Sequence, residues 1–191
     1  MGELVIRPVT AKDWSLVEQL FGDRGACGGC WCMHWHAPPG DAAWNRMKGE
    51  PNRAALKAMV EQGECPAVIA VDGGVPVGWC RVGPVNSFEK LARSRKLWRD
   101  RMADWAIVCL FVASSHRGRG LASRLVREAA SLAFASGASS VEGYPSVPSS
   151  GRMPPAFAWT GVPEIFEAAG FAQLPDDAGT RRIYRLDVPL H

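Results

Sequence analysis

The sequence predicts a mixed α/β domain of the α+β type, with helices flanking a central, mostly antiparallel sheet of six to seven strands. Three observations carry this expectation. The most apolar run, Trp105 to Ala113, reads as a central strand and leads through a Gly-rich turn into an amphipathic helix at 120–135. Two further apolar runs, 66–72 and 75–82, are separated only by Gly73-Gly74 and so form an antiparallel hairpin. Helical and strand periodicities then alternate along the 191 residues, which fit one domain spanning 1–191.

In order, residues 4–9 form a first strand ended by Pro8, which cannot donate to a ladder. Thr10 and Asp13 resemble a capping box ahead of Trp14, Val17, Leu20 and Phe21, one apolar helical face. Residues 22–45 lose all periodicity and read as a Cys/Trp-rich loop. A helix at 52–62 turns Ala55, Leu56, Met59 and Val60 inward. After the hairpin, 87–103 reads as a helical insertion with Phe88, Leu91, Trp98 and Met102 on one stripe and cations around it. The helix at 120–135 aligns Leu121, Leu125, Ala129, Leu132 and Ala133. A strand at 139–144, a long Pro/Ser/Gly loop at 145–161 and a short helix from Pro163 to Gly170 follow, then strands near 171–174 and 180–188.

Composition excludes several classes. A net charge of +3, with Glu89, Asp100 and Asp104 diluting the basic 87–103 segment, argues against nucleic acid. No apolar run is long enough to span a bilayer, so no membrane partner is expected. The opening residues lack a basic region followed by an apolar one, which leaves the cytoplasm as the expected location and its six cysteines reduced. A homodimer is the default assembly.

The chemistry concentrates in His116-Arg117-Gly118-Arg119-Gly120-Leu121-Ala122, between the central strand and its helix. A helix N-terminus offers unpaired N–H groups and partial positive charge, which suit a pyrophosphate. Gly118 and Gly120 let an anion approach the backbone, and Arg117, Arg119 and Arg124 add charge. A Walker loop fits less well because its Lys is absent, and a dinucleotide fingerprint because Ser123 stands where its third Gly belongs.

With this turn in that context the chain resembles the GNAT (Gcn5-related) N-acetyltransferase superfamily, whose motif Gln/Arg-x-x-Gly-x-Gly/Ala is matched by Arg117 to Ala122. The resemblance extends to the element order and to the late Gly170-Phe171 pair. It implies acetyl-CoA as co-substrate, held by the amides of Arg117, Gly118, Arg119, Gly120, Leu121 and Ala122. The backbone of Leu110, Phe111 and Val112 would pair with the pantetheine arm, and one amide there would face the thioester oxygen. It further implies transfer to a primary amine, on a small molecule or peptide, by direct attack in a ternary complex. Two rivals remain: a catalytically weak acyl-CoA sensor and a zinc-bearing interaction module.

The family's usual proton donor is a Tyr just ahead of Glu-x-x-Gly-Phe, and here Phe166 occupies that position. Tyr144 is the substitute acid and also reads as an ordinary core aromatic. Glu142 and Asp104 are candidate bases, because a protonated amine must lose a proton before it attacks. His116 is expected to contact cofactor or solvent.

The stretch Cys27-Gly-Gly-Cys30-Trp31-Cys32-Met33-His34-Trp35-His36 supports two further readings. Cys27, Cys30, Cys32 and His34 are a candidate zinc set, although no second Cys-x-x-Cys pair stands at finger spacing. Alternatively Trp31, Met33 and Trp35 line an acceptor pocket, with the cysteines as buried fillers or a redox switch. A Trp wall would favour an apolar or cationic acceptor.

Overall fold

A computed structural model describes residues 3–38, 40–94, 103–147, 158–175 and 182–188. Its seven-stranded sheet runs in the order β1-β2-β3-β4-β5-β7-β6. The strands are β1 (Leu4–Pro8), β2 (Ala67–Asp72), β3 (Val75–Pro84), β4 (Trp105–Val112), β5 (Ser140–Gly143), β6 (Ala172–Gln173) and β7 (Tyr184–Asp187). Every described neighbour pair is antiparallel except β4 and β5. Six helices accompany it among the described residues: α1 (Trp14–Phe21), α2 (Asp41–Met47), α3 (Glu50–Glu61), α4 (Glu89–Ala92), α5 (Leu121–Ala135) and α6 (Pro163–Ala168).

The sheet buries both faces, and the alternation of β3 supplies each. Val77, Cys80 and Val82 meet Leu121, Leu125, Val126 and Ala129 of α5. Gly78 permits that approach, since a Cβ there would lie 2.7 Å from Leu125 Cδ1. On the other face Trp79 packs with Val17 and Phe21 of α1 and Leu56 and Val60 of α3. Arg81, 1% exposed, projects to this side as well, where its Nη2 lies 3.1 Å from His36 Nε2. The entry to α1 is tied by Asp13, which accepts both Arg7 guanidinium N–H groups at 2.6 and 2.8 Å and the Thr10 backbone N–H at 2.7 Å.

Strands β4 and β5 pair only through Trp105–Ile107 and Val141–Gly143. Beyond that point other groups take up the β4 edge. Trp35 Nε1 donates to the Val108 carbonyl at 2.9 Å, and the Leu110 N–H donates to the Trp159 carbonyl at 2.7 Å.

Two segments differ from expectation. Within 22–45 the chain forms a 3₁₀ turn at His34–His36 and the helix α2 rather than a continuous loop. The described part of 87–103 holds only the four-residue helix α4, with Phe88 and Leu91 buried; Trp98 and Met102 lie outside the described residues.

Candidate functional site

A cavity of about 1140 Å³ joins the turn after β4 to the Cys loop. Arg117, Gly118, Gly120, Leu121 and Ala122 line it on the turn side, and Leu110, Phe111 and Val112 line it along β4. Gly120 caps α5 in a left-handed conformation (φ 74°), which costs little at a residue lacking Cβ. No side chain caps α5 and no acidic residue stands in its first turn, so its leading N–H groups and dipole remain available to an anion. Gly118 is also left-handed, at φ 71°. Arg119 is exposed and lies off the cavity wall, while the Arg117 Nε donates back to the Val112 carbonyl at 2.8 Å. His116 lines the cavity, with Nε2 3.0 Å from Asp72 Oδ2.

The Leu110 amide, expected to serve the pantetheine arm, is engaged by Trp159 in this structure. Trp159 also faces the cavity, its ring 4.9 Å from that of His34 and 6.0 Å from that of Trp35.

The Cys loop faces the cavity the other way round from the sequence expectation. Cys27, Cys30, Cys32 and His34 line it, whereas Trp31, Met33 and Trp35 turn into the core at 4–5% exposure. Trp31 packs at a tilt against Trp14 and Phe21, with ring centroids 5.9 and 5.7 Å apart, and a Cβ at Gly25 would lie 2.3 Å from its Nε1. The physical reason is the backbone: Ala26, Trp31 and Cys32 all take positive φ, with Trp31 at 46° and Cys32 at 58°. Consecutive left-handed residues reverse the facing that extended alternation would give. Among the described residues no three His, Cys, Asp or Glu stand close enough together to hold a metal ion. All six cysteines are free thiols.

Tyr144 and Glu142 come together, the hydroxyl donating to Glu142 Oε2 at 3.1 Å, but both are 0% exposed and neither lines the cavity. Glu142 Oε1 accepts the Ala103 N–H at 3.3 Å and lies 3.8 Å from Arg185 Nη1. The pair braces the β4–β5–β7 junction. Asp104 accepts the Ser139 hydroxyl at 2.6 Å and its N–H at 2.8 Å, and these bonds hold its carboxyl below the usual range. Phe166 is sealed in the core, in contact with the backbone of Gly143 and Gly161.

The sequence offers the thiols as zinc ligands, buried fillers or a redox switch; the structure puts Cys109 of β4 in the cavity wall along with Cys32, which sequence reasoning did not foresee. Cys32 and Cys109 line the cavity at 3% and 8% exposure. Trp79 Nε1 donates to Cys32 Sγ at 3.4 Å. Burial opposes ionisation of Cys32, but the Cys109 thiol, the charge of Arg81 and the Trp79 N–H outweigh it and lower its pKa. Burial instead raises Cys30 and Cys65 to about 11 and raises Cys80 further.

This fold and turn define an acyl-CoA-binding enzyme of the acetyltransferase type. The model of the acetyltransferase (GNAT) family matches residues 32–146, and the chain belongs to that family, whose co-substrate is acetyl-CoA. No curated protein sequence matches the chain. Solved structures share the fold at low identity. A Corynebacterium glutamicum structure described as histone acetyltransferase HPA2 and related acetyltransferase is 16% identical, with 100% of this chain and 99% of that one covered and a TM-score of 0.57. YncA of Salmonella typhimurium, a putative acetyltransferase solved with acetyl-CoA, is 16% identical over 100% and 96%, with a TM-score of 0.54. The PaiA N-acetyltransferase of Thermoplasma acidophilum, in complex with coenzyme A, is 12% identical over 97% and 99%, with a TM-score of 0.56. Among the described residues no helix is long and apolar enough to cross a membrane.

Proposed function

We propose that this chain acts as a single N-acetyltransferase domain that moves an acetyl group from acetyl-CoA to a primary amine, on a small molecule or a peptide, by direct attack in a ternary complex. The observation that carries the proposal is the continuity of the cavity, which runs from the uncapped N-terminus of α5 to the Cys loop. The amides of Gly118 to Ala122 are suited to a pyrophosphate, and Arg117 sits beside them. The edge of β4 at Leu110–Val112 is suited to an extended amide-bearing arm, once Trp159 yields the Leu110 N–H. Acetyl-CoA supplies an activated thioester carbonyl. The protein contributes orientation and an N–H donor toward the oxygen that becomes negative during attack.

The test is acetyl-CoA calorimetry on the native protein and on Gly120→Asp, followed by an amine and peptide panel. A carboxylate at the α5 N-terminus should abolish binding while circular dichroism stays native. Folded native protein that does not bind acetyl-CoA would overturn the reading.

A further inference from the structure

The Cys-loop end of the cavity is walled by three aromatic rings: His34, Trp44 of α2 and Trp159 all line it. The His34 ring lies 5.2 Å from that of Trp44 and 4.9 Å from that of Trp159, edge-on to both. Trp35 ties this wall to β4, its ring 5.4 Å from His34 and its Nε1 donating to the Val108 carbonyl at 2.9 Å. Such a wall takes a planar apolar body by stacking or edge contact. The same cavity of about 1140 Å³ must also take the pantetheine arm, so the acceptor that shares it is a small molecule.

The charge beside the wall decides what that planar body carries. Indole faces ordinarily attract cations, but Trp44 already has two, with Lys90 Nζ 5.1 Å and Lys48 Nζ 5.8 Å from its ring centroid. Lys48 itself lines the cavity, and its Nζ donates to a neutral partner, Asn45 Oδ1, at 2.9 Å. Asp41 offsets part of the Lys90 charge, while Glu89 pairs with Arg93 at 3.1 Å. Among the described residues the one carboxylate lining the cavity is Glu164, carried by α6, which packs on α5. A further cation is therefore repelled from the Trp44 corner and an anion is drawn to it.

We propose that the acceptor is an amine-bearing aromatic acid, its ring against His34, Trp44 and Trp159, its acid group at Lys48 and its primary amine toward the thioester beside β4. The inference rests on the acetyl-transfer reading above and names its substrate class. The amine nitrogen bonds the acetyl carbon, the thioester C–S bond breaks, and the proton given up by the amine ends on the CoA sulfur. Trp44 and Lys48 determine specificity and take no part in these bond changes.

Matched pairs that differ only in the acid group test it: para-aminomethylbenzoate against benzylamine, and phenylalanine against phenethylamine, read by release of CoA from acetyl-CoA. The acids should have the higher kcat/KM, by roughly tenfold. Lys48→Glu, at an exposed position where the fold should tolerate it, should reverse that preference. Trp44→Ala should raise KM for the aromatic acids roughly 2–10-fold, with kcat little changed and with KM for beta-alanine, an acid without a ring, unmoved. Both variants should bind acetyl-CoA in calorimetry as the native protein does. Preference for the amines lacking the acid group, or for the polyamine spermidine, would overturn the substrate class and leave the acetyl-transfer reading standing. So would acetylation of none of the acids by native protein that binds acetyl-CoA, or an acid preference that survives Lys48→Glu. Loss of acetyl-CoA binding in Lys48→Glu would give that lysine to the cofactor and overturn it as well. Native protein that does not bind acetyl-CoA would overturn both.

Discussion

Acidification from pH 7 to 4.5 should destabilise this protein through His36 in particular. The ring lies 5.1 Å from that of Phe88, and its Nε2 is 3.1 Å from Arg81 Nη2, so that nitrogen accepts and cannot carry a proton without facing a cation. Burial first, then the Arg81 charge, lowers the pKa from 6.5 to about 4. Between those values the unfolded chain binds a proton that the folded chain refuses, so stability falls as pH falls and is fully present only above 6.5. At 1.36 kcal/mol per unit the full window is worth roughly 3 kcal/mol, less whatever solvent reaching the half-buried ring recovers. Asp13 and Asp104 are depressed below 3.8 in the folded state, so they contribute little to the change above pH 4.5. Urea unfolding of native protein and His36→Gln at pH 7 and 4.5 reads the difference. Native protein should lose about 2–3 kcal/mol more than the variant. Equal losses would refute the neutral, Arg81-facing imidazole.

Other consequences follow from the same geometry. Gly143→Ala would place a Cβ 2.0 Å from Phe166 Cε1, inside a closed core, and should cost at least ~1–3 kcal/mol, seen as a lowered Tm. Asp13→Ala removes the Arg7 and Thr10 contacts at the start of α1 and should cost on the order of 1–3 kcal/mol in urea unfolding. Native protein should lose this contribution only as pH falls through the depressed Asp13 pKa. Acetyl-CoA affinity should fall as salt rises, because Arg119 and Arg124 at the turn are exposed; a salt-independent affinity would place the phosphates elsewhere.

The elements with a clear period were legible in the sequence. The apolar stripe of α5 named Leu121, Leu125, Ala129 and Ala133, all buried in the structure, and the Gly73-Gly74 turn placed the β2–β3 hairpin. The phosphate-type turn was legible because Gly, Arg and helix start coincide within a few residues. The Cys loop was not, since positive φ at Trp31 and Cys32 carries no residue-type signal and inverts which side chains meet the cavity. The placing of Cys32, Trp79 and Cys109 at one wall of the cavity was hidden for a different reason. These residues come from the loop, β3 and β4, and only pairing of Trp79 with Phe111 and Arg81 with Cys109 across the sheet brings those strands into register. Glu142 and Tyr144, two residues apart on paper, did meet, but behind the cavity wall.

The central claim is that one cavity holds acetyl-CoA with its pyrophosphate on the α5 N-terminus and its thioester beside β4. A crystal structure of the protein with acetyl-CoA tests it most directly. The account predicts phosphate oxygens within hydrogen-bond distance of the Gly118–Ala122 amides, and the Trp159 carbonyl displaced from the Leu110 N–H. Acetyl-CoA bound away from that turn, or bound there with the Trp159–Leu110 bond intact and the thioester away from β4, would contradict it.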